Sequence, residues 1–142
     1  MKIAIGGDHA GFHYKERLLN FLESKGHQVE DFGPGSDNSV DYPDHVHPLA
    51  SSIAAEDNEL GVLICGSGNG VCITANKHEN VRAALCWVSE LASLARQHND
   101  ANIICIPARF IAYEYAETLV DIFLKTEFEG GRHQTRVNKI NC

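Results

Sequence analysis

Five short apolar runs alternate with single amphipathic segments along this chain, and that alternation restricts the fold more than any other feature. The runs are Lys2 to Gly6, Gln28 to Phe32, Val62 to Cys65, Val81 to Cys86 and Asn102 to Pro107. Between the first two, Phe12 to Lys25 spaces Leu18, Leu19, Phe21 and Leu22 as a helix does, and Gly26 is a natural stop. Pro43 suits the first turn of a helix that carries Val46, Leu49, Ala50, Ile53 and Ala54 on one face. A further helical pattern runs through Val71, Ile73 and Ala75. Ser89 is placed to cap another through Leu91, Leu94 and Ala95, with Glu90, Arg96 and Gln97 facing water. Ile111 to Lys125 reads as a long amphipathic helix, and Gly130-Gly131 as a hinge before the tail from Arg132 to Asn141. Strands separated by single helices cannot pair through tight turns. They imply parallel pairing, crossovers of one hand and helices on both faces: an α/β/α sandwich around a five-stranded parallel sheet, followed by a separate C-terminal segment.

At 142 residues, with 44% hydrophobic residues, the chain fits one domain spanning 1–142, large enough to bury roughly two-thirds of its unfolded surface. The formal net charge of −7 argues against nucleic-acid or anionic-membrane partners, yet leaves room for a local basic cluster that holds a small anion. No apolar run approaches the roughly 18 residues of a membrane span, and Ile3-Ala4-Ile5 is too short for a signal peptide, so a cytoplasmic protein is expected. Cys65, Cys72, Cys86, Cys105 and Cys142 form no CxxC pair and are odd in number, which argues against a disulfide framework. None of the histidines stands in an HExxH pattern, and His45 and His47, two apart near a turn, do not read as a metal site.

The third strand leads into the richest chemistry. Val62-Leu63-Ile64-Cys65 is followed by Gly66-Ser67-Gly68-Asn69-Gly70 and then by a helix start. Strand, glycine loop and helix together present a row of backbone N–H groups at a positive helix end, suited to an anion or to a carbonyl oxygen gathering negative charge. The loop is not a triphosphate-binding loop, because no Gly-Lys-Ser/Thr follows; nor is it a dinucleotide fingerprint, because Val71 stands where glycine is needed. Read alone, it is an anion site or a packing turn.

In a parallel sheet, ligands bind beyond the carboxyl ends of the strands. Asp8 and His9 follow strand one, Cys65 to Gly70 follow strand three and Arg109 follows strand five, so these groups are expected at one edge. His98 and Asn99 lie between a helix end and the start of strand five, at the opposite edge; if they serve the same site, another subunit brings them. Taken singly, Asp8 also reads as a helix cap, and His98 as a C-terminal helix residue favoured by the dipole. Arg132 and Arg136, i and i+4, share one helix face and can converge on a phosphate, although a solvated basic tail would look the same.

Together the motifs are recognisable. GGDHAGF at Gly6 to Phe12, DYPD at Asp41 to Asp44, CGSGNG at Cys65 to Gly70, ANK at Ala75 to Lys77, RQHN at Arg96 to Asn99 and EGGRHQTRV at Glu129 to Val137 resemble the type B ribose-5-phosphate isomerases and their sugar-phosphate isomerase relatives. The resemblance covers essentially the whole chain. It implies a Rossmann-like α/β/α sandwich, no cofactor and no metal, and a homodimer, or a tetramer built from it, with active sites drawn from both subunits. Cys65 would then abstract the C2 proton with Ser67 assisting, and His98 of the second subunit would help open the furanose ring while Asp8 holds its oxygen. The loop Gly66, Ser67, Gly68, Asn69 and Gly70 would cradle the enediolate. His9, Arg109, Arg132 and Arg136 would hold the phosphate, with Asn99 and Tyr42 as secondary contacts. A branch of the family uses a glutamate after the loop as base; Val71 stands there, so the chain resembles the cysteine branch. Galactose 6-phosphate or allose 6-phosphate isomerases carry nearly the same motifs, and a sugar-phosphate-binding module without turnover is the alternative from another class.

Overall fold

The structure, a computed structural model, describes residues 1–141. In chain order the elements are β1 (Lys2–Gly7), α1 (Phe12–Ser24), β2 (Gln28–Asp31), α2 (Tyr42–Ala54), β3 (Leu60–Cys65) and α3 (Asn69–Ala75). They continue as β4 (Ala83–Leu85), α4 (Ser89–Asn99), β5 (Ile103–Pro107), α5 (Tyr113–Lys125) and α6 (Arg132–Val137). The five strands form one sheet in the order β2-β1-β3-β5-β4, and every neighbouring pair is parallel. The alternation of apolar runs and helical segments therefore folds as expected, into an α/β/α sandwich.

The sheet's two faces divide the core. Side chains alternate along a strand, so in β3 Leu60, Val62 and Ile64 pack with α1, α4 and α5, while Leu63 and Cys65 pack with α2 and α3. The chain moves one way across the sheet from β1 to β2 and from β4 to β5, and the other way from β2 to β3 and from β3 to β4. Crossovers of a single hand must then put α1 and α4 on one face and α2 and α3 on the other, which is the arrangement found. Central β1, β3 and β5 are buried almost throughout, which explains why they read as unbroken apolar runs.

Several expectations need correction. The run Val81 to Cys86 pairs as a strand only over Ala83–Leu85, at the sheet edge. The N–H of Arg82 instead donates to Oδ1 of Asn102, and that of Ala83 to Oδ1 of Asn76, each at 2.8 Å, so side-chain amides take the place of a strand partner. Ser89 does not cap α4. Val88 holds that position, and Ser89 turns its N–H to the Tyr115 hydroxyl at 2.9 Å, with its own hydroxyl 3.1 Å from the same oxygen. Arg96 does not face water: its guanidinium folds against Oδ1 of Asp100 at 3.0 Å and the carbonyls of Ala101 and Thr126 at 2.6 and 3.3 Å. The last two segments are shorter than their patterns, α5 starting at Tyr113 and α6 ending at Val137.

One buried charge ties the β1 edge of the site to its surroundings. Lys15 is 0% exposed, its Nζ 2.6 Å from Oδ2 of Asp31 and 2.7 Å from Oε1 of Glu16. Asp31 also accepts the Gly33 N–H, and the Gly33 carbonyl accepts the Gly7 N–H at the end of β1. No helix among the described residues is long and apolar enough to cross a membrane.

Candidate active site

Strand order reverses between β1 and β3, where the chain leaves β1 for β2 on one side and later returns to β3 on the other. The connections after neighbouring strands diverge there, and a crevice opens beyond their carboxyl ends. In this structure it is a cavity of about 320 Å³ that Asp8 and His9 enter from β1, Cys65, Gly66, Ser67 and Gly70 from β3, and Arg109 and Phe110 from β5. Tyr42, the first residue of α2, closes one side. A larger concavity, about 590 Å³, lies at the other end of the sheet, but its Arg82 and Arg96 are already paired with Asp100.

Cys65 ends β3 and is nearly buried. Its Sγ accepts the Gly68 N–H at 3.0 Å, so one of the loop's N–H dipoles is spent on holding the sulfur in place rather than aimed at an open cavity. The Asn69 N–H likewise turns to the Ser67 hydroxyl at 3.3 Å. Gly68 has φ 75°, in the left-handed region that favours glycine. At Gly70 a Cβ would meet the Tyr42 ring at 2.6 Å, so the ring sits against the helix start only because no side chain is there. The loop after β5 is held to the same place: the Ala108 N–H donates to the Cys65 carbonyl at 2.9 Å and the Arg109 N–H to the Gly66 carbonyl at 3.0 Å.

Asp8 combines two roles. Its Oδ1 accepts the Gly11 N–H at 3.0 Å, a turn bond just before α1, while the carboxyl lines the cavity. The helix-cap reading is therefore met only in part, since α1 itself begins after Gly11 without a side-chain cap. His9 accepts the Val40 N–H on Nδ1 at 3.2 Å. A backbone N–H can only donate, so the neutral ring carries its proton on Nε2, leaving that nitrogen as a donor for a ligand oxygen.

Four expected site residues are elsewhere. His98 and Asn99 end α4, and Arg132 and Arg136 lie on α6, which packs against α4 near the strand amino ends. The five residues of β5, at about 3.3 Å each, put roughly 16 Å between that end and the Cys65 loop. His98 stacks on His133, ring centroids 4.2 Å apart, with Glu129 beside both. Both Arg132 and Arg136 are exposed on one short helix, as their spacing predicts. Arg17, Arg82 and Arg96 each have a carboxylate partner, whereas Arg109, Arg132 and Arg136 have none among the described residues. Sequence reasoning missed Phe110, 76% exposed at the cavity mouth; an aromatic residue beside Arg109 in a strand-end loop was the available signal.

A model of the Ribose/Galactose Isomerase family matches residues 3–140, and the chain belongs to that family. It is 48% identical, over 97% of its length and 91% of the other's, to a protein of Mycoplasma pneumoniae named probable ribose-5-phosphate isomerase B. The structure of a Clostridium thermocellum ribose-5-phosphate isomerase B superposes with a TM-score of 0.97 at 45% identity, covering 99% of this chain and 95% of that one. A ribose-5-phosphate isomerase B from Mycoplasma genitalium, solved with bound ribulose-5-phosphate, matches with a TM-score of 0.93 at 44% identity, covering 98% and 93% of the two chains.

The thiols differ enough to be told apart in solution. Burial raises Cys105 well above the ordinary thiol range and pushes Cys86 up to about 12. Cys72 is lowered, the neighbouring Cys105 thiol being the largest influence and outweighing its own partial burial, while its Sγ donates to the Ala83 carbonyl at 3.3 Å. A thiol with pKa about 12 is thiolate in roughly one molecule per 10⁴ at pH 8. Cys142 lies outside the described residues. Brief treatment of the folded protein with iodoacetamide at pH 8, followed by peptide mass spectrometry, is expected to leave Cys86 and Cys105 unmodified while Cys72 reacts. Labelling of Cys105 as fast as Cys72 would contradict this ordering.

Proposed function

We propose that this protein interconverts ribose 5-phosphate and ribulose 5-phosphate by proton transfer through an enediolate, with Cys65 as the base. The observation that carries the reading is the Cys65 sulfur, fixed by the Gly68 N–H at the mouth of a cavity shared with Asp8, His9 and the unpaired Arg109. A volume of about 320 Å³ is at the lower end of small-ligand sites, in keeping with a pentose phosphate. Family membership and the ribulose-5-phosphate bound to the Mycoplasma genitalium protein support the same substrate.

In this scheme Asp8 holds the ring oxygen as the furanose opens to the free aldehyde. The Cys65 thiolate then removes the proton from C2, and the C–H electron pair becomes the C1=C2 bond of the enediolate as charge moves to O1. Delivery of a proton from sulfur, where it can exchange with solvent, to C1, with the O2 proton passing to O1, gives the ketose and restores the thiolate. Ser67, beside Cys65, holds the oxygens between which charge moves. The loop's remaining N–H dipoles, those not taken by Cys65 and Ser67, favour the charged enediolate over the neutral sugar, which lowers the barrier rather than only the substrate's energy.

The site is completed by a second copy of the chain. One subunit holds the base and Arg109 at one end of its sheet, and His98, Asn99, Arg132 and Arg136 at the other. A two-fold dimer presents the second set to the first, twice. Exposed Trp87 and Phe110, which line an adjoining cavity of about 310 Å³ with Leu85 and Ser67, offer apolar surface for such a contact. His98 would then assist ring opening, and the two α6 arginines would join His9 and Arg109 at the phosphate.

Replacement of Cys65 by Ala is expected to lower kcat by roughly 10²–10⁴-fold, with substrate affinity nearly kept and solvent deuterium no longer entering C2. Near-normal turnover, or continued exchange at C2, would remove Cys65 from this role. Ribose, allose and galactose phosphates compared in the same assay test the choice of sugar. Arg132→Ala and Arg136→Ala are each expected to raise KM for the phosphorylated sugar strongly while changing binding of the unphosphorylated sugar little. Equal weakening of both would make α6 a structural element.

A further inference from the structure

Among the described residues Lys15 is the only lysine or arginine that is buried, and the reaction scheme makes no use of it. Its carboxylate partners are not buried with it: the side chains of Asp31 and Glu16 are 33% and 47% exposed. A methionine would fill much the same space, and exchanging a buried ion pair for apolar residues of similar size often leaves a fold as stable or more so. Stability alone thus gives no reason for a charge here. The geometry around Asp31 does.

Asp31 ends β2 and turns one oxygen to each neighbour, Oδ2 to Lys15 Nζ at 2.6 Å and Oδ1 to the Gly33 N–H at 2.8 Å. The chain is gripped again at the same point by β1, since the Phe32 N–H donates to the Ile5 carbonyl at 2.8 Å and the Gly33 carbonyl accepts the Gly7 N–H at 3.0 Å. Gly33 turns there with φ 89°, and the His45 ring packs where a Cβ would stand. From this anchor the connection between β2 and α2 crosses to the cavity, where the Val40 N–H donates to Nδ1 of His9 at 3.2 Å. Midway, Asp37 meets the exposed His13 at 3.5 Å, a surface pair of little weight. Asp8 and Cys65 do not hang on this connection. The Asp8 N–H donates to the Ile64 carbonyl at 3.1 Å and its carboxylate accepts the Gly11 N–H, while Cys65 is held by Gly68. The His9 ring has its one hydrogen bond among the described residues from Val40.

We propose that Lys15 is a positioning residue: by holding Asp31 it sets the course of the β2–α2 connection, and through Val40 the pose of the His9 ring. Its consequence rests on the isomerase reading, in which Nε2 of His9 donates to the phosphate. A ring held in place before the substrate arrives need not be ordered on binding, which favours affinity. Loss of the Lys15 charge releases Asp31 and slackens that hold, while proton transfer at Cys65 is left with its own supports.

The test compares Lys15→Met, which keeps the stem and removes the charge, with Asp31→Ala, at a partly exposed position, and with the double variant, which leaves no unpaired charge buried. All are full-length proteins, and circular dichroism checks that they fold. Each single variant is expected to raise KM for ribose 5-phosphate about tenfold while kcat stays within about threefold, and the double variant to be no weaker than the worse single one, because the two residues act in one chain of contacts. Amide hydrogen exchange in the ligand-free protein reads the positioning without substrate. The Val40 N–H is expected to exchange at least about tenfold faster in both single variants, with the α3 amides unchanged. Wild-type exchange at Val40 together with wild-type KM in folded Lys15→Met, faster exchange throughout the fold, or a loss confined to kcat would overturn the proposal. Faster exchange at Val40 with KM unchanged keeps Lys15 as the anchor of His9 and instead removes His9 from the phosphate in the isomerase reading.

Discussion

A parallel sheet has two unlike ends, and that polarity governs everything else in this molecule. Each strand is followed by a loop at the carboxyl end and preceded by one at the amino end, so a residue's end of the sheet is set by whether it comes after or before its strand. Asp8, Cys65 and Arg109 come after strands and meet in one crevice; His98 and Asn99 come before β5 and cannot reach it. The C-terminal arginines share the amino end because α5 carries the chain back across the sheet and α6 packs against α4. On the proposed reading, chemistry that needs both sets draws them from two sheets, and association is then part of catalysis rather than an addition to it.

Within the crevice, position is set by backbone bonds rather than by long side chains. Carbonyls of Cys65 and Gly66 receive the N–H groups of Ala108 and Arg109, and Cys65 sulfur receives that of Gly68. The loops after β3 and β5 are thus tied to one another, with Tyr42 seated on Gly70 as a wall. Such rigidity suits proton transfer, where small displacements of the base from the carbon change the rate steeply. Lys15 supports the β1 side from beneath, through Asp31 and Gly33 to Gly7, next to Asp8.

Much of this was legible from residues alone, for physical reasons. β1, β3 and β5 are covered on both faces and so appear as continuous apolar runs, and the strand-end rule then collects Asp8, the Cys65 loop and Arg109 at one edge. Edge strand β4 is shorter than its apolar run because the N–H groups of Arg82 and Ala83 at its start are taken by Asn102 and Asn76, contacts that no periodicity records. Arg96 looked like a surface residue since helical spacing cannot anticipate the left-handed Asp100 that folds its partner carboxylate back onto it. The strand order, with β5 between β3 and β4, is likewise compatible with the alternation but not dictated by it. Roles for Tyr42 and His98 rested on family resemblance, whereas the i, i+4 spacing of Arg132 and Arg136 already pointed to a phosphate; the stacking of His98 on His133 needed the α4–α6 packing, which joins segments far apart in sequence.

The central claim, one active site built from opposite ends of two chains, is tested most directly by complementation. Inactive Cys65→Ala subunits are mixed with inactive His98→Asn subunits under conditions that exchange chains, and heterodimer formation is followed by mass spectrometry. In a shared arrangement one of the two sites carries both lesions and the other carries neither, so each heterodimer regains up to about half the normal activity. A demonstrated heterodimer that stays inactive would contradict the account and return His98 to its own chain.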